Sequence, residues 1–95
     1  ITSSDQALKE NIEDVNPEDA MTMLDAVSAR TYQRTDMPGD RIGFIAQEVE
    51  SAIPDEWGNI VFAQNGFKAL DYSRIVSILW TICKDQERRL KILEA

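Results

Sequence analysis

The feature that most constrains this chain is a seven-residue repeat of mostly apolar side chains near its C-terminal end. Successive positions are separated by 4, 3, 4, 3, 4 and 3 residues, which places them in a stripe along one side of an α-helix. The stripe lasts for about three heptads, the lower limit for predicting a coiled coil. It is termed the heptad seam, and its members are Tyr72, Val76, Leu79, Cys83, Gln86, Leu90 and Leu93. The pattern predicts an oligomerising helix over residues 71–95.

Three isoleucines lie beside the heptad seam and widen the apolar face of this helix: Ile75, Ile78 and Ile82. The broad face has two interpretations. It packs on a hairpin of the same chain, or part of it faces the globular body while the seam meets other chains. Gln86 would be unfavourable in the core of a monomer. In an oligomer it is acceptable, because one polar seam position helps to set the register between the helices.

Composition limits the classes of function. The chain has 95 residues, enough for a single domain over residues 1–95 whose small core gains from oligomerisation. Its net charge of −7 opposes binding to a phosphate backbone, so we expect no nucleic acid partner. With no histidine and only Cys83, we expect no zinc or other metal site, no disulfide within the chain and no cofactor. The most apolar run, residues 75–83, is too short to span a bilayer, so we expect no membrane partner.

Local signals predict an α+β fold of short strands, hairpins and a long C-terminal helix. Asn16 and Pro17 are a helix cap and a first helical residue. Asp71 is the expected cap of the last helix. We predict an extended segment over residues 1–6, strands over 29–33 and 42–45, a short helix ending before Pro54, and a hairpin of residues 60–63 and 67–70.

Ser4 and Lys9 are the candidate catalytic pair. A serine hydroxyl needs a base, and because the chain has no histidine, Lys9 is the nearest plausible one. Lysine accepts a proton only where burial or a nearby cation lowers its pKa. Five extended residues span roughly 16–18 Å, and five helical positions rotate the side chains about 140° apart. The pair therefore meets only if the chain reverses between them or if a neighbouring chain supplies the partner, which ties the chemistry to folding or assembly.

Other polar and aromatic residues are weaker candidates. We interpret three polar residues as the solvent-exposed face of a short helix that packs through its other face: Gln47, Glu48 and Glu50. Trp57 and Trp80 are interpreted as core or interface anchors rather than as a ligand cage.

Three sequence blocks occur in an order that resembles a known family. SDQALKENI stands at residues 4–12, GFIAQEVE at residues 43–50 with Pro54 after it, and LDYSRIV at residues 70–76. Together they resemble the intramolecular chaperone domain at the C-terminal end of phage tail spikes and tail fibres, also known as the S74 peptidases. The departures are mild: Ala7 replaces a residue that is often basic, and Arg74 one that is often lysine.

The resemblance implies a trimer that guides folding of an upstream fibre or spike on the same polypeptide and then cuts itself off at Ser4–Asp5. It implies Ser4 and Lys9 as a catalytic dyad, Asn11 as a possible supporting residue, residues 1–4 as an upstream remnant, and a single-turnover reaction on no other substrate. We accordingly expect a homotrimer held by a helical bundle of residues 71–95. The implied location is the host cytoplasm during virion assembly, with the parent protein in the virion tail.

Two points stay open at the level of sequence. Attack by Ser4 on its own carbonyl would close a strained four-membered ring, whereas attack on the Ser3 carbonyl would cut before Ser4, so the attacking atom is undetermined. The alternatives to a self-releasing chaperone are a non-cleaving trimerisation module that caps a fibre, and the self-cleaving domain of a myelin regulatory factor type transcription factor.

Overall fold

The computed structural model describes residues 3–95 and shows a small α+β fold, as predicted. A short 3-10 turn at Gln6–Leu8 precedes three helices and two separate two-stranded antiparallel hairpins. In chain order the elements are α1 (Pro17–Ala26), β1 (Arg30–Gln33), β2 (Asp40–Gly43), α2 (Ala46–Ala52), β3 (Val61–Gln64), β4 (Phe67–Leu70) and α3 (Tyr72–Glu94). Residues 1 and 2 of the predicted extended segment lie outside the described residues.

Local capping explains where the helices begin. The Asn16 side chain accepts a hydrogen bond from the Glu18 amide, and Pro17 occupies the first helical position of α1. The Asp71 side chain accepts from the amide of Ser73 at the start of α3. The hydrogen bond from the Ser73 hydroxyl is the main cause that lowers the pKa of Asp71. Both predicted helix starts are confirmed.

Turn chemistry fixes the β3–β4 hairpin. Asn65 and Gly66 have positive φ angles of 52° and 80°, the conformation that a two-residue turn between antiparallel strands requires. Val61 pairs with Leu70, and Gln64 pairs with Phe67. The predicted hairpin is confirmed, although its first strand is displaced by one residue.

The β1–β2 hairpin differs from the prediction in its second strand. We expected residues 42–45, whereas β2 covers Asp40–Gly43 and pairs Gly43 with Arg30. The strand ends at Gly43 because the amide of Phe44 donates to the Tyr72 hydroxyl instead, at 3.0 Å. Residues 28–42 are exposed throughout.

The hydrophobic core lies between α1, α2 and α3. Its buried residues are Ala20, Met23, Val49, Ile60, Ile75, Ile78 and Ile82. The isoleucine side of α3 packs against α1, with residues of the β3–β4 hairpin at the edge of the core. The isoleucines thus face the globular body of their own chain. This agrees with one part of the second interpretation of the apolar face, in which the seam is left to meet other chains. Within residues 3–95, no helix is long and apolar enough to cross a bilayer.

Candidate functional site

A tight turn reverses the chain between Ser4 and Lys9. The amide of Leu8 donates to the carbonyl of Asp5 at 3.1 Å, and the amide of Lys9 donates to the carbonyl of Gln6 at 3.0 Å. The Asp5 carboxylate caps the turn by accepting from the Ala7 amide at 2.9 Å. The sequence left open whether the chain reverses here, and the structure shows that it does.

The reversal brings the two candidate catalytic side chains together. Lys9 Nζ lies 2.7 Å from Ser4 Oγ and hydrogen-bonds to it. This separation is within the range over which a lysine amine takes a proton from a serine hydroxyl. The contact forms within one chain, so a neighbouring chain is not needed to create it.

The pair lies in an exposed part of the chain. Every residue from 3 to 14 is exposed, including Ser4, Lys9 and two large apolar side chains, Leu8 at 75% and Ile12 at 65%. A lysine acts as a base only in surroundings that favour its neutral form, chiefly burial or a nearby cation. A single copy of residues 3–95 therefore supplies the contact between the two atoms but not the burial that the chemistry requires.

Asn11, the possible supporting residue, has a conformational role. Its φ angle is 50°, in the left-handed region that asparagine tolerates better than most residues. Among the described residues, no hydrogen bond joins its side chain to Ser4 or Lys9. Asn11 turns the chain just after Lys9, while Glu10 is an exposed surface residue.

The second and third sequence blocks meet at Gly43 and Tyr72, a contact that sequence reasoning missed. The Phe44 amide donates to the Tyr72 hydroxyl, and the two rings stack with centroids 6.0 Å apart. A Cβ atom at Gly43 would lie 2.5 Å from the Tyr72 hydroxyl oxygen. Any larger residue at this position would displace the Tyr72 hydroxyl, so the close approach favours glycine. The only sign of this contact in the sequence is that Gly43 and Tyr72 both lie within the resembling blocks.

The acidic residues of the second block join α2 to both hairpins. Glu48 receives two hydrogen bonds from the Arg30 guanidinium, at 3.1 and 2.8 Å. Glu50 forms an ion pair with Lys68 on β4. These contacts agree with the structural interpretation of Glu48 and Glu50. Within residues 3–95, no group of acidic or cysteine side chains could hold a metal ion.

The heptad seam lies on the side of α3 that faces away from the core. Val76, Leu79, Leu90 and Leu93 are 58%, 47%, 54% and 81% exposed. Tyr72 is half-exposed and also bonds to Phe44 within its own chain. Cys83 and Gln86 are exposed as well. The predicted interface residues thus form an accessible apolar stripe, and the trimer itself stays a prediction.

A buried carboxylate lies on the core side of the same helix. Asp85 is 4% exposed and follows Ile75, Ile78 and Ile82 along that side. Arg88 donates to it at 2.5 Å, and this bond is the main cause that lowers the pKa of Asp85. The Nε atom of Arg89 lies 2.8 Å from the second carboxylate oxygen. The charge is thereby paired by two arginines of its own helix.

Comparison with known families agrees with the resemblance seen in the sequence. The family model Peptidase_S74, described as the chaperone of endosialidase, matches residues 4–58. This range is more than half of the 95-residue chain and includes the first two sequence blocks, while the third lies beyond it. Searches of curated proteins and of solved structures found no matching protein. With its Ser4–Lys9 contact at the start of the matched range, the chain belongs to the Peptidase_S74 family, the chaperone of endosialidase.

Proposed function

We propose that this domain is a homotrimeric intramolecular chaperone that releases itself by one peptide cleavage. It assists the folding of an upstream viral fibre or spike on the same polypeptide, and it then hydrolyses the Ser4–Asp5 bond with Ser4 and Lys9. It acts in the host cytoplasm during virion assembly, and the parent protein becomes part of the virion tail. The observation that carries the proposal is the 2.7 Å contact between Lys9 Nζ and Ser4 Oγ at the start of the family match.

The exposed heptad seam supports association through α3. Large apolar side chains that repeat along one helix face gain free energy when they are removed from water, at about 25 cal/mol per Å². The isoleucines of α3 are already buried in their own chain, so the seam is free to meet other copies. Three seams packed together form the helical bundle of the trimer.

Assembly also supplies what the dyad lacks. Leu8 and Ile12 flank Lys9 in sequence and are exposed in a single copy. When they pack on a neighbouring subunit or on the folded upstream domain, they carry Lys9 into less aqueous surroundings, which favours the neutral amine. Cleavage is then coupled to assembly through burial rather than through the formation of the Ser4–Lys9 contact.

The reaction adds one water across one amide bond. The bond between the Ser4 carbonyl carbon and the Asp5 nitrogen breaks, a hydroxyl group joins the carbonyl carbon and a proton joins the nitrogen. Lys9 takes a proton from the attacking group, which is either a hydroxyl or an activated water. Ser4 then departs with the upstream product while Lys9 remains, so the dyad is separated and the domain acts once.

The test uses the parent protein with its upstream domain. Ser4→Ala is expected to abolish cleavage, as is Lys9→Arg, because guanidinium stays protonated. The matched controls are Ser3→Ala and Lys84→Arg, which alter an exposed serine and an exposed lysine outside the dyad. Gel electrophoresis measures the cut fraction, and mass spectrometry of the released domain distinguishes an Asp5 from a Ser4 terminus.

Two results would contradict this proposal. Normal cleavage of the Lys9→Arg protein would show that Lys9 is not the base and contributes only a charge or a structural contact. A wild-type parent that forms folded trimers yet stays intact would instead identify a non-cleaving module that caps the fibre permanently.

A further inference from the structure

The Ser4–Lys9 contact depends on a turn that has little support beyond its own hydrogen bonds. The turn covers only Gln6–Leu8, and residues 3–14 are exposed on all sides. Short helical segments are unstable in water because few hydrogen bonds offset the ordering of the backbone. The bonds that do form therefore decide how often Lys9 reaches Ser4.

Asp5 accepts two of the three hydrogen bonds that define the turn. Its backbone carbonyl accepts from Leu8 at 3.1 Å, and its carboxylate oxygen Oδ1 accepts from Ala7 at 2.9 Å. The third bond joins the Lys9 amide to the Gln6 carbonyl. Any residue offers the backbone acceptor, but only a short polar side chain offers the second, which is the ordinary role of a helix N-cap.

We propose that Asp5 is a positioning residue for self-cleavage, whose carboxylate caps the turn that holds Lys9 Nζ at Ser4 Oγ. The inference rests on the proposed function, and it assigns Asp5 a role separate from its place in the cleaved bond. Asp5 acts through Lys9 and needs an acceptor oxygen rather than a negative charge. After the cut, the cap and turn stay with the released domain while Ser4 leaves.

If Asp5 acted through its charge instead, its carboxylate would form an ion pair with Lys9. Among the described residues, Asp5 forms no ion pair with Lys9, and its Oδ1 atom is engaged by the Ala7 amide. A carboxylate that stabilised a charged Lys9 would also oppose its action as a base. Capping and charge make opposite predictions for asparagine, which caps helices about as well as aspartate but is neutral.

The first experiment measures self-cleavage rates of the full parent protein carrying Asp5→Ala, Asp5→Asn or Asp5→Ser. We expect Asp5→Ala to be about fivefold slower, the size that a capping energy of about 1 kcal/mol gives. Asp5→Asn and Asp5→Ser should stay within about twofold of the wild type. The pH–rate profiles of all three variants should keep the midpoint of the wild type, because capping changes how often Lys9 reaches Ser4 and not the chemical step. Glu10→Ala is the control for loss of an exposed acid in the same segment.

A second measurement does not depend on cleavage. In the parent carrying Lys9→Arg, millisecond hydrogen exchange of the Ala7 and Leu8 amides should be faster with Asp5→Ala and unchanged with Asp5→Asn. Unchanged exchange with Asp5→Ala would overturn the inference, as would Asp5→Asn cleaving as slowly as Asp5→Ala. An uncut wild-type parent with the expected exchange pattern would refute the proposed cleavage and leave the capping of the turn established.

Discussion

Replacing Gly43 by alanine tests the contact that joins β2 to α3. The added Cβ atom would lie 2.5 Å from the Tyr72 hydroxyl oxygen, closer than ordinary van der Waals contact, and 3.2 Å from the Tyr32 hydroxyl oxygen. The Tyr72 hydroxyl accepts the hydrogen bond from the Phe44 amide, so moving it away from the added methyl weakens that bond. Overpacking of this kind costs about 1–3 kcal/mol.

Replacing Tyr72 by phenylalanine removes the hydroxyl that the added methyl would meet. Tyr72→Phe alone should cost about 1 kcal/mol, because the amide of half-buried Phe44 loses its acceptor. In the Tyr72→Phe background, however, the nearest remaining Tyr72 atom is the ring carbon Cζ, 3.5 Å from the added methyl, which is ordinary contact. The Tyr32 hydroxyl oxygen, 3.2 Å from the added methyl, is then the tightest contact left, so Gly43→Ala should cost less than it does in the wild type but more than Gly58→Ala. The double variant should therefore be more stable than the sum of the two single changes predicts.

The assay is chemical and thermal unfolding of all four proteins at one protein concentration, since oligomerisation makes the melting temperature depend on concentration. Each kcal/mol corresponds to a shift of about 4–8 °C in a domain of this size. Gly58→Ala is the matched control, because nothing lies within 4 Å of a Cβ atom there. Strictly additive costs, or a Gly43→Ala protein as stable as the Gly58→Ala protein, would refute the close approach.

Four further expectations concern α3. Leu79→Asp, which puts a charge into the predicted bundle, should dissociate the trimer and leave the parent uncut, and efficient cutting by a monomer proven by sedimentation would rule out coupling to assembly. Ile78→Ala should lower the free energy of unfolding by about 2–5 kcal/mol because Ile78 is 3% exposed. Val76→Ala, on the exposed seam, should instead weaken association, measured by sedimentation as a trimer that dissociates at a higher protein concentration than the wild type. The Arg88 hydrogen bond lowers the pKa of Asp85 in the folded chain. The ionised Asp85 carboxylate should therefore stabilise the fold fully above its ordinary pKa of 3.8, and this contribution should be lost as pH falls through the lower pKa of the folded state. Asp85→Asn should flatten the acid limb of the stability curve, and an unchanged limb would contradict this.

The sequence by itself determined the features that depend on neighbours along the chain. Asn16 and Asp71 cap helices because their short side chains reach amides two residues on. Asn65 and Gly66 form the two-residue turn because they tolerate positive φ angles. The 3.5-residue period predicted α3, and the family resemblance, which supplied the candidate dyad, was also readable from local blocks.

Only the tertiary structure decided how distant segments meet. Gly43 and Tyr72 are far apart in sequence, and nothing local in either residue reveals that the Tyr72 hydroxyl ends β2 by taking the Phe44 amide. The same holds for the division of α3 into a buried isoleucine side and an exposed heptad seam, because periodicity alone cannot say which side meets α1. For Ser4 and Lys9 the spacing allowed either a chain reversal or a partner chain, and the 3-10 turn settled their contact. Spacing limits what a short segment can reach, but the backbone dihedral angles and packing of the folded chain select which contact forms.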